Sequence, residues 1–296
     1  MMSQSVLNPD NQGELKINCL NAFDQKRPSI LLIHGWGSSS RIWPQSTEKL
    51  ALSFNLFTVD LPGHGEHAEL GFSSINDFVD ELKMRMPVEN FSVIGWSLGG
   101  VIGSLLAQQL EERVTALVTV ATNQSFLVKP EWPCGMSIID FSTFSDALSS
   151  ASLQSQITRF QIMQAQGVET AKHDCRRLKL FLGGVEYSLA GLELGLSVLN
   201  DFDLYDCWQK LSIPVMHQFG KYDSLVPISS CRPIAENHRH HNYQVFTDSA
   251  HLPFISESEK WQLDTGQFLS QALQDQKIDK DSIADSFSIA AKGYDE

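Results

Sequence analysis

The residues of this chain best placed to do chemistry are Ser97, Asp223 and His251. Ser97 sits in Phe91-Ser92-Val93-Ile94-Gly95-Trp96-Ser97-Leu98-Gly99-Gly100, where a strand-like run meets Gly-Trp-Ser-Leu-Gly and a helix-like run, Val101 to Ala107, follows. A serine between strand and helix with glycine two residues to either side reads as a nucleophile elbow, a turn tight enough to lift the hydroxyl clear of a sheet. Gly95 and Gly99 leave room where the two backbones close on one another, because glycine has no Cβ. A serine hydroxyl is a weak nucleophile at neutral pH and needs a base and an orienting acid. On a parallel sheet these partners follow in the order serine, acid, histidine, each on a loop beyond a late strand. Asp223 lies in Gly220-Lys221-Tyr222-Asp223-Ser224-Leu225-Val226-Pro227, and His251 lies in Asp248-Ser249-Ala250-His251-Leu252-Pro253-Phe254. The expected chemistry is acyl transfer: His251 takes the Ser97 proton and returns it to the leaving group, while Asp223 orients the imidazole. Asp248 is a rival acid, but it precedes His251 by only three residues and lacks the position just past a strand.

An oxyanion needs two donors. One is the Leu98 N–H at the first turn of the helix; the other is the backbone N–H of Trp36, in the loop His34-Gly35-Trp36-Gly37 after an apolar strand. The Trp36 side chain either lines an acyl pocket or fills the core.

Positioning these groups requires a sheet. Residues 14–23 suggest an early, partly exposed strand, and 29–33, 54–60, 116–121, 213–220 and 243–246 suggest buried ones. Helical character alternates with them, from about Arg41, at roughly 73–86, after the elbow and at about 257–273. This alternation predicts an α/β fold with a mostly parallel central sheet covered on both sides. Residues 1–122 and 201–274 are read as the two parts of the core. Residues 123–200, with a proline-marked start at Lys129-Pro130-Glu131-Trp132-Pro133, are read as an inserted helical lid, and 275–296 as a C-terminal tail.

Composition narrows the function class. The 296 residues carry 22 Lys and Arg against 35 Asp and Glu, a net charge of −13, which argues against a nucleic-acid partner. No stretch has the length of a membrane span, and residues 1–13 lack the basic start and apolar run of a signal peptide. Five scattered cysteines without C-x-x-C spacing read as reduced thiols, so a cytoplasmic protein is expected, with no metal and no organic cofactor, acting as a monomer. Of the remaining histidines, His34 is expected to support its loop and His217 to lie within a strand. His238, His240 and His241 are expected on a solvated loop rather than on a metal.

Together, His34-Gly35, Asp60-Leu61-Pro62-Gly63-His64-Gly65, the elbow, Asp223 and His251 resemble the α/β-hydrolase superfamily over about residues 14–273. Gly95-Trp96-Ser97-Leu98-Gly99-Gly100, Glu131-Trp132-Pro133, Ala250-His251-Leu252-Pro253-Phe254-Ile255-Ser256 and Arg159-Phe160…Gln164…Gly167-Val168-Glu169-Thr170-Ala171 are more particular. They are similar to the pimeloyl-[acyl-carrier protein] methyl ester esterases of biotin synthesis. That resemblance implies an acyl carrier protein as partner, bearing a methyl-capped seven-carbon diacyl chain. It implies substrate contacts at Trp36, Leu98, His251 and the segment from Phe160 to Gln164. It implies carrier contacts at Arg159, Lys172 and Arg176, while Ser155 stands where the family has another arginine. Independently, residues 151–180 hold Arg159, Lys172, Arg176, Arg177 and Lys179 against only Glu169 and Asp174. Lys172, Arg176 and Lys179 share a helix face at i, i+4, i+7. Such a patch would steer an acidic partner.

The alternative activities are a general short-chain carboxylesterase or a carbon–carbon bond hydrolase on the same fold; a non-catalytic binding module is disfavoured by the complete serine, acid and histidine set. In the tail, Lys280…Ile283-Ala284…Phe287…Ala290-Ala291…Tyr294 resembles the opening helix of malonyl-[acyl-carrier protein] methyltransferases. A fusion remnant and a plain terminal helix are both open there.

Overall fold

A computed structural model describes residues 13–150 and 152–292, and the side chains of all of these but 149, 150, 277 and 279–292. The strands form where apolar runs are continuous. β1 (Asn18–Cys19), β2 (Ser29–Ile33), β3 (Asn55–Val59), β4 (Phe91–Trp96), β5 (Val114–Val120), β6 (Val215–Gly220) and β7 (Asn242–Phe246) make one seven-stranded sheet in the order β1-β3-β2-β4-β5-β6-β7. All neighbouring pairs are parallel except β1 with β3. β2, β3 and β4 are buried at every position, as strands covered on both faces must be. The early strand is shorter than the sequence suggests: only Asn18 and Cys19 pair, both exposed, at the edge of the sheet.

The helices are α1 (Trp43–Ser46), α2 (Ile75–Arg85), α3 (Leu98–Gln109), α4 (Ile138–Ser150), α5 (Leu153–Gln164), α6 (Ala171–Leu182), α7 (Leu189–Asp201), α8 (Tyr205–Lys210), α9 (Cys231–Asn237), α10 (Pro253–Ser256) and α11 (Ser258–Lys292). α2 starts at Ser74, whose hydroxyl accepts the Asp77 N–H and so caps the first turn. Successive strand residues point to opposite faces, and the two faces bury separate cores. Leu31, Ile33, Val93 and Leu117 pack with Phe78, Leu82, Ile102 and Leu106 from α2 and α3. Ile30, Leu32, Ile94 and Val118 pack with Trp43, Phe254, Trp261 and Leu269 on the other side.

Between β5 and β6 the chain leaves the sheet and builds α4 to α8, an inserted helical region. Its α5 joins the first core through Ile157 and Phe160, and its α6 joins the second through Leu178, Phe181 and Leu182. α11 runs across residue 274 without interruption to Lys292; Tyr294 lies outside the described residues.

The register decides where chemistry can happen. Ile33 pairs with Gly95, Trp96 with Val120, Val120 with Gln218, and Gly220 with Phe246. The loops after β2, β4, β6 and β7 therefore leave the same edge of the sheet. The strand order reverses beside β2, which has β3 on one side and β4 on the other; this is where parallel sheets place ligands.

Candidate active site

Ser97 occupies a single residue between β4 and α3, with φ 54° and ψ −116°. A side chain other than glycine at positive φ is strained, and such strain persists only where neighbours over-determine it. Here the Ser97 N–H donates to the Val120 carbonyl at 2.8 Å, and the Ser97 carbonyl accepts from Gly100 N–H at 2.9 Å and Thr122 Oγ1 at 3.0 Å. The glycines are required by packing. A Cβ on Gly95 would lie 2.3 Å from the Gly99 carbonyl oxygen, and one on Gly99 would lie 2.3 Å from that of Ile33.

Asp223 and His251 meet although 28 residues separate them in the chain. Nδ1 of His251 donates to Asp223 Oδ2 at 2.7 Å. Asp223 Oδ1 accepts the N–H groups of Leu225 and Val226 at 2.8 and 2.9 Å, which fixes the carboxylate's rotation. With Nδ1 protonated, Nε2 carries the free lone pair; it is buried and has no hydrogen-bond partner among the described residues. Asp248 is exposed, so the geometry sets Asp223 rather than Asp248 on the imidazole. The elbow and the histidine are tied together: Trp96 Nε1 donates to the His251 carbonyl at 2.9 Å, and the two rings lie 5.7 Å apart.

The loop carrying Trp36 is gripped one residue further on. Gly37 donates its N–H to His64 Nε2 at 3.0 Å, and the Gly37 carbonyl accepts from Gln161 Nε2 at 3.1 Å and the Tyr187 hydroxyl at 3.2 Å. His64 in turn donates Nδ1–H to the Pro62 carbonyl at 2.8 Å. Burial, reinforced by neighbouring His34, pushes the His64 pKa down to about 3, so the ring is neutral and its Nε2 accepts. His34 supports the loop as expected: Nδ1 faces the Gly35 carbonyl at 2.8 Å, and Nε2 accepts the Leu61 N–H at 3.0 Å. Burial alone would raise Asp60, but His34 and the N–H groups of Ser40 and Glu66 outweigh it and hold the carboxyl below its ordinary value. The Leu98 N–H opens α3 and so has no intrahelical acceptor, as the first N–H of any helix does not.

The Trp36 indole packs in the core and also borders a cavity. It is buried, with Nε1 donating to the Leu192 carbonyl at 2.9 Å, and its edge meets Phe160 at 4.9 Å and Phe144 at 5.2 Å. Trp36 and Phe160 also line a cavity of about 70 Å³, closed by Phe126, Phe144, Leu199 and Leu225 among others. Sequence reasoning missed the contributions of α4 and α7. Phe141 and Phe144, three apart on α4, carried a usable signal, since residues so spaced share a helix face. Gln164 is buried with its Oε1 unpartnered, and its backbone carbonyl accepts the His251 N–H at 3.1 Å.

Arg159, Lys172 and Arg176 are exposed on α5 and α6, as is Lys179. No group of three or more His, Cys, Asp or Glu side chains among the described residues could hold a metal ion. The histidines at 238 and 241 are not on a solvated loop. His238 is fully buried and His241 is 5% exposed. They stack at 5.3 Å, and His241 Nδ1 lies 3.0 Å from His217 Nε2 under Trp208. The polar look of the segment came from Arg239 and His240, which do face solvent.

Residues 28–258 match the sequence model of the alpha/beta hydrolase fold family. The chain is 33% identical over 241 residues to a pimeloyl-[acyl-carrier protein] methyl ester esterase of Aliivibrio salmonicida, covering 81% of this chain and 91% of that one. It is 34% identical over 244 residues to the enzyme of the same name from Aliivibrio fischeri, covering 82% and 93%. Among solved structures, an esterase from Exiguobacterium antarcticum superposes with a TM-score of 0.72 at 18% identity, over 86% of this chain and 95% of that one. A bromoperoxidase from Bacillus anthracis superposes with a TM-score of 0.72 at 16% identity, over 88% and 97%; both likenesses are of fold.

Proposed function

This chain belongs to the α/β-hydrolase family, and from that premise we propose that it is a serine carboxylesterase that removes the methyl group from a pimeloyl methyl ester carried on acyl carrier protein. The observation that carries the hydrolytic part is the buried Asp223–His251 pair, whose Nε2 is left open and whose backbone is tied to the Ser97 elbow. In this reading Ser97 Oγ attacks the ester carbonyl as His251 Nε2 accepts its proton. The imidazolium is held by Asp223 and passes that proton to the departing methoxide, which leaves as methanol. A water then attacks the acyl-enzyme, with His251 again as base. Ser97 regains its proton, and the free acid remains on the carrier. The N–H groups of Trp36 and Leu98 hold the oxyanion in both steps; one such donor contributes ~2.7–4 kcal/mol to the transition state.

The choice of ester rests on two supports. One is the one-third identity to the methyl ester esterases across four fifths of the chain. The other is the set of exposed cations on α5 and α6 in a chain of net charge −13, facing outward where an acidic carrier could approach. Ser155 in place of a further arginine leaves that face less cationic than the family pattern. A general short-chain carboxylesterase is the second reading, favoured by the small size of the apolar cavity, about 70 Å³.

Hydrolysis of methyl pimeloyl-carrier protein beside a short p-nitrophenyl ester, by wild type and Ser97→Ala, tests both. Preference for the carrier-linked ester, lost on the substitution, is expected. Turnover of the small ester alone would overturn the carrier reading and leave the esterase standing.

A further inference from the structure

Asp174 stands on α6 of the inserted helical region with its side chain wholly enclosed. Its Oδ2 accepts from Thr170 Oγ1 at 2.7 Å and from Ser256 Oγ at 2.8 Å, and its Oδ1 lies 3.3 Å from Nδ1 of the exposed His173. No lysine or arginine pairs with it among the described residues. An enclosed carboxylate served mainly by hydroxyls is a poor device for stability, because desolvation offsets much of what the hydrogen bonds return. Its location gives it another use. Ser256 ends α10, the single turn that begins two residues after His251, and its N–H closes that turn on the Leu252 carbonyl at 2.9 Å. One turn further along α6, Arg177 donates to the Ile255 carbonyl at 3.2 Å. Two ties from α6 thus end on the last two residues of the turn that follows the histidine.

We propose that Asp174 and Ser256 are positioning residues for His251: the α6 carboxylate holds the end of α10, and α10 holds the imidazole in line with Ser97. The proposal rests on the esterase reading above. Asp223 sets the ring's rotation and tautomer, Trp96 and Gln164 hold the histidine's backbone, and the Asp174–Ser256 bond sets how far the turn can swing away from the sheet.

The test uses the full chain and reads four quantities: kcat and KM for a p-nitrophenyl ester, the rate at which a fluorophosphonate labels Ser97, and the thermal midpoint. Ser256→Ala is expected to lower kcat and the labelling rate about tenfold, with KM within about twofold, because a small displacement of a general base acts on the transition state. Ser256→Thr, which keeps the hydroxyl, restores both. Asp174→Ala, which removes the acceptor, matches Ser256→Ala, and the double variant is no slower than either single one, as members of one interaction are not additive. Wild-type kcat and labelling in Ser256→Ala overturn the proposal, as does a loss of rate that follows the thermal midpoint or that Ser256→Thr shares. A folded wild type that the probe does not label at Ser97 overturns the esterase reading, and this inference with it.

Discussion

The backbone N–H of His251 donates to the carbonyl of Gln164, at 3.1 Å, across the boundary between the sheet and the inserted helices. Gln164 is the last residue of α5, so the helical insertion takes part in holding the histidine rather than merely covering it. The same helix reaches the loop that carries Trp36, where Gln161 Nε2 donates to the carbonyl of the following residue, Gly37. α5 therefore touches both the loop that carries His251 and the loop that carries Trp36.

Reversing the exposed lid cations separates substrate recognition from chemistry. The triple change Arg159→Glu, Lys172→Glu and Arg176→Glu is expected to reduce kcat/KM for a carrier-linked ester by about ten- to a hundredfold, because surface charge governs encounter with an acidic partner. A small p-nitrophenyl ester should be hydrolysed within about twofold of wild type, since none of the three side chains lines the cavity. Raising the salt concentration should shrink the difference on the carrier-linked ester. Equal loss on both substrates would remove the carrier assignment.

His64 braces the loop that carries Trp36 through the Gly37 N–H. In His64→Phe that donor loses its acceptor in a buried setting, a loss on the order of 1–3 kcal/mol. Part of this falls on the geometry of the Trp36 N–H, and kcat is expected to drop about tenfold while KM changes little. His64→Gln, which can still accept a hydrogen bond, should recover part of the rate. Because the ring is already neutral, with its pKa near 3, the pH profile of kcat should keep its wild-type shape. Steady-state kinetics from pH 5 to 9 on the three proteins check this.

The buried histidines at the far end of the sheet make stability depend on acid. Burial, with His240 adding to it, lowers the His238 pKa to about 4 from 6.5, and burial with His240 and His238 lowers that of His241 to about 3. Folding depresses both values, so below pH 6.5 the unfolded chain binds protons that the folded chain does not. The contribution of these two rings is constant above that pH and falls as the solution is acidified from about 6.5 towards 4. His238→Phe removes one titrating ring whose two nitrogens are buried without partners, and should narrow the gap between urea midpoints at pH 7 and pH 5. An unchanged gap would mean that His238 does not titrate on unfolding.

Gly220 permits the closest approach in the site. A Cβ there would lie 1.8 Å from the Ala250 carbonyl oxygen, between the strand that leads to Asp223 and the loop that carries His251. Gly220→Ala is expected to cost about 1–3 kcal/mol through overpacking, lowering the thermal midpoint by a few degrees. It also pushes Asp223 and His251 apart, so residual activity per folded molecule should fall more than stability does. Calorimetry and active-site titration of the same sample separate the two effects.

The α/β-hydrolase fold was legible because it is written in local patterns. Continuous apolar runs mark strands covered on both faces, as at 29–33 and 91–96. Ser97 declares its turn through the glycines at 95 and 99, since only those backbones can meet without a Cβ. Chain order alone nominated Asp223 and His251. Other features depend on which distant segments come to share space, and no local pattern encodes that. Asp223 reaches the imidazole and Asp248 stays in solvent because of where β6 and β7 end in register. The segment 238–241 reads as polar, yet Trp208 and His217 cover two of its rings. Asp174 looks like one more charge on a lid helix until Ser256, 82 residues later, closes on it. Sequence by itself determined the α/β pattern and nominated Ser97, Asp223 and His251, because residue type and spacing are local properties. Only the tertiary structure decided which partners hold them, because burial and pairing are made between chain segments that sequence order keeps apart.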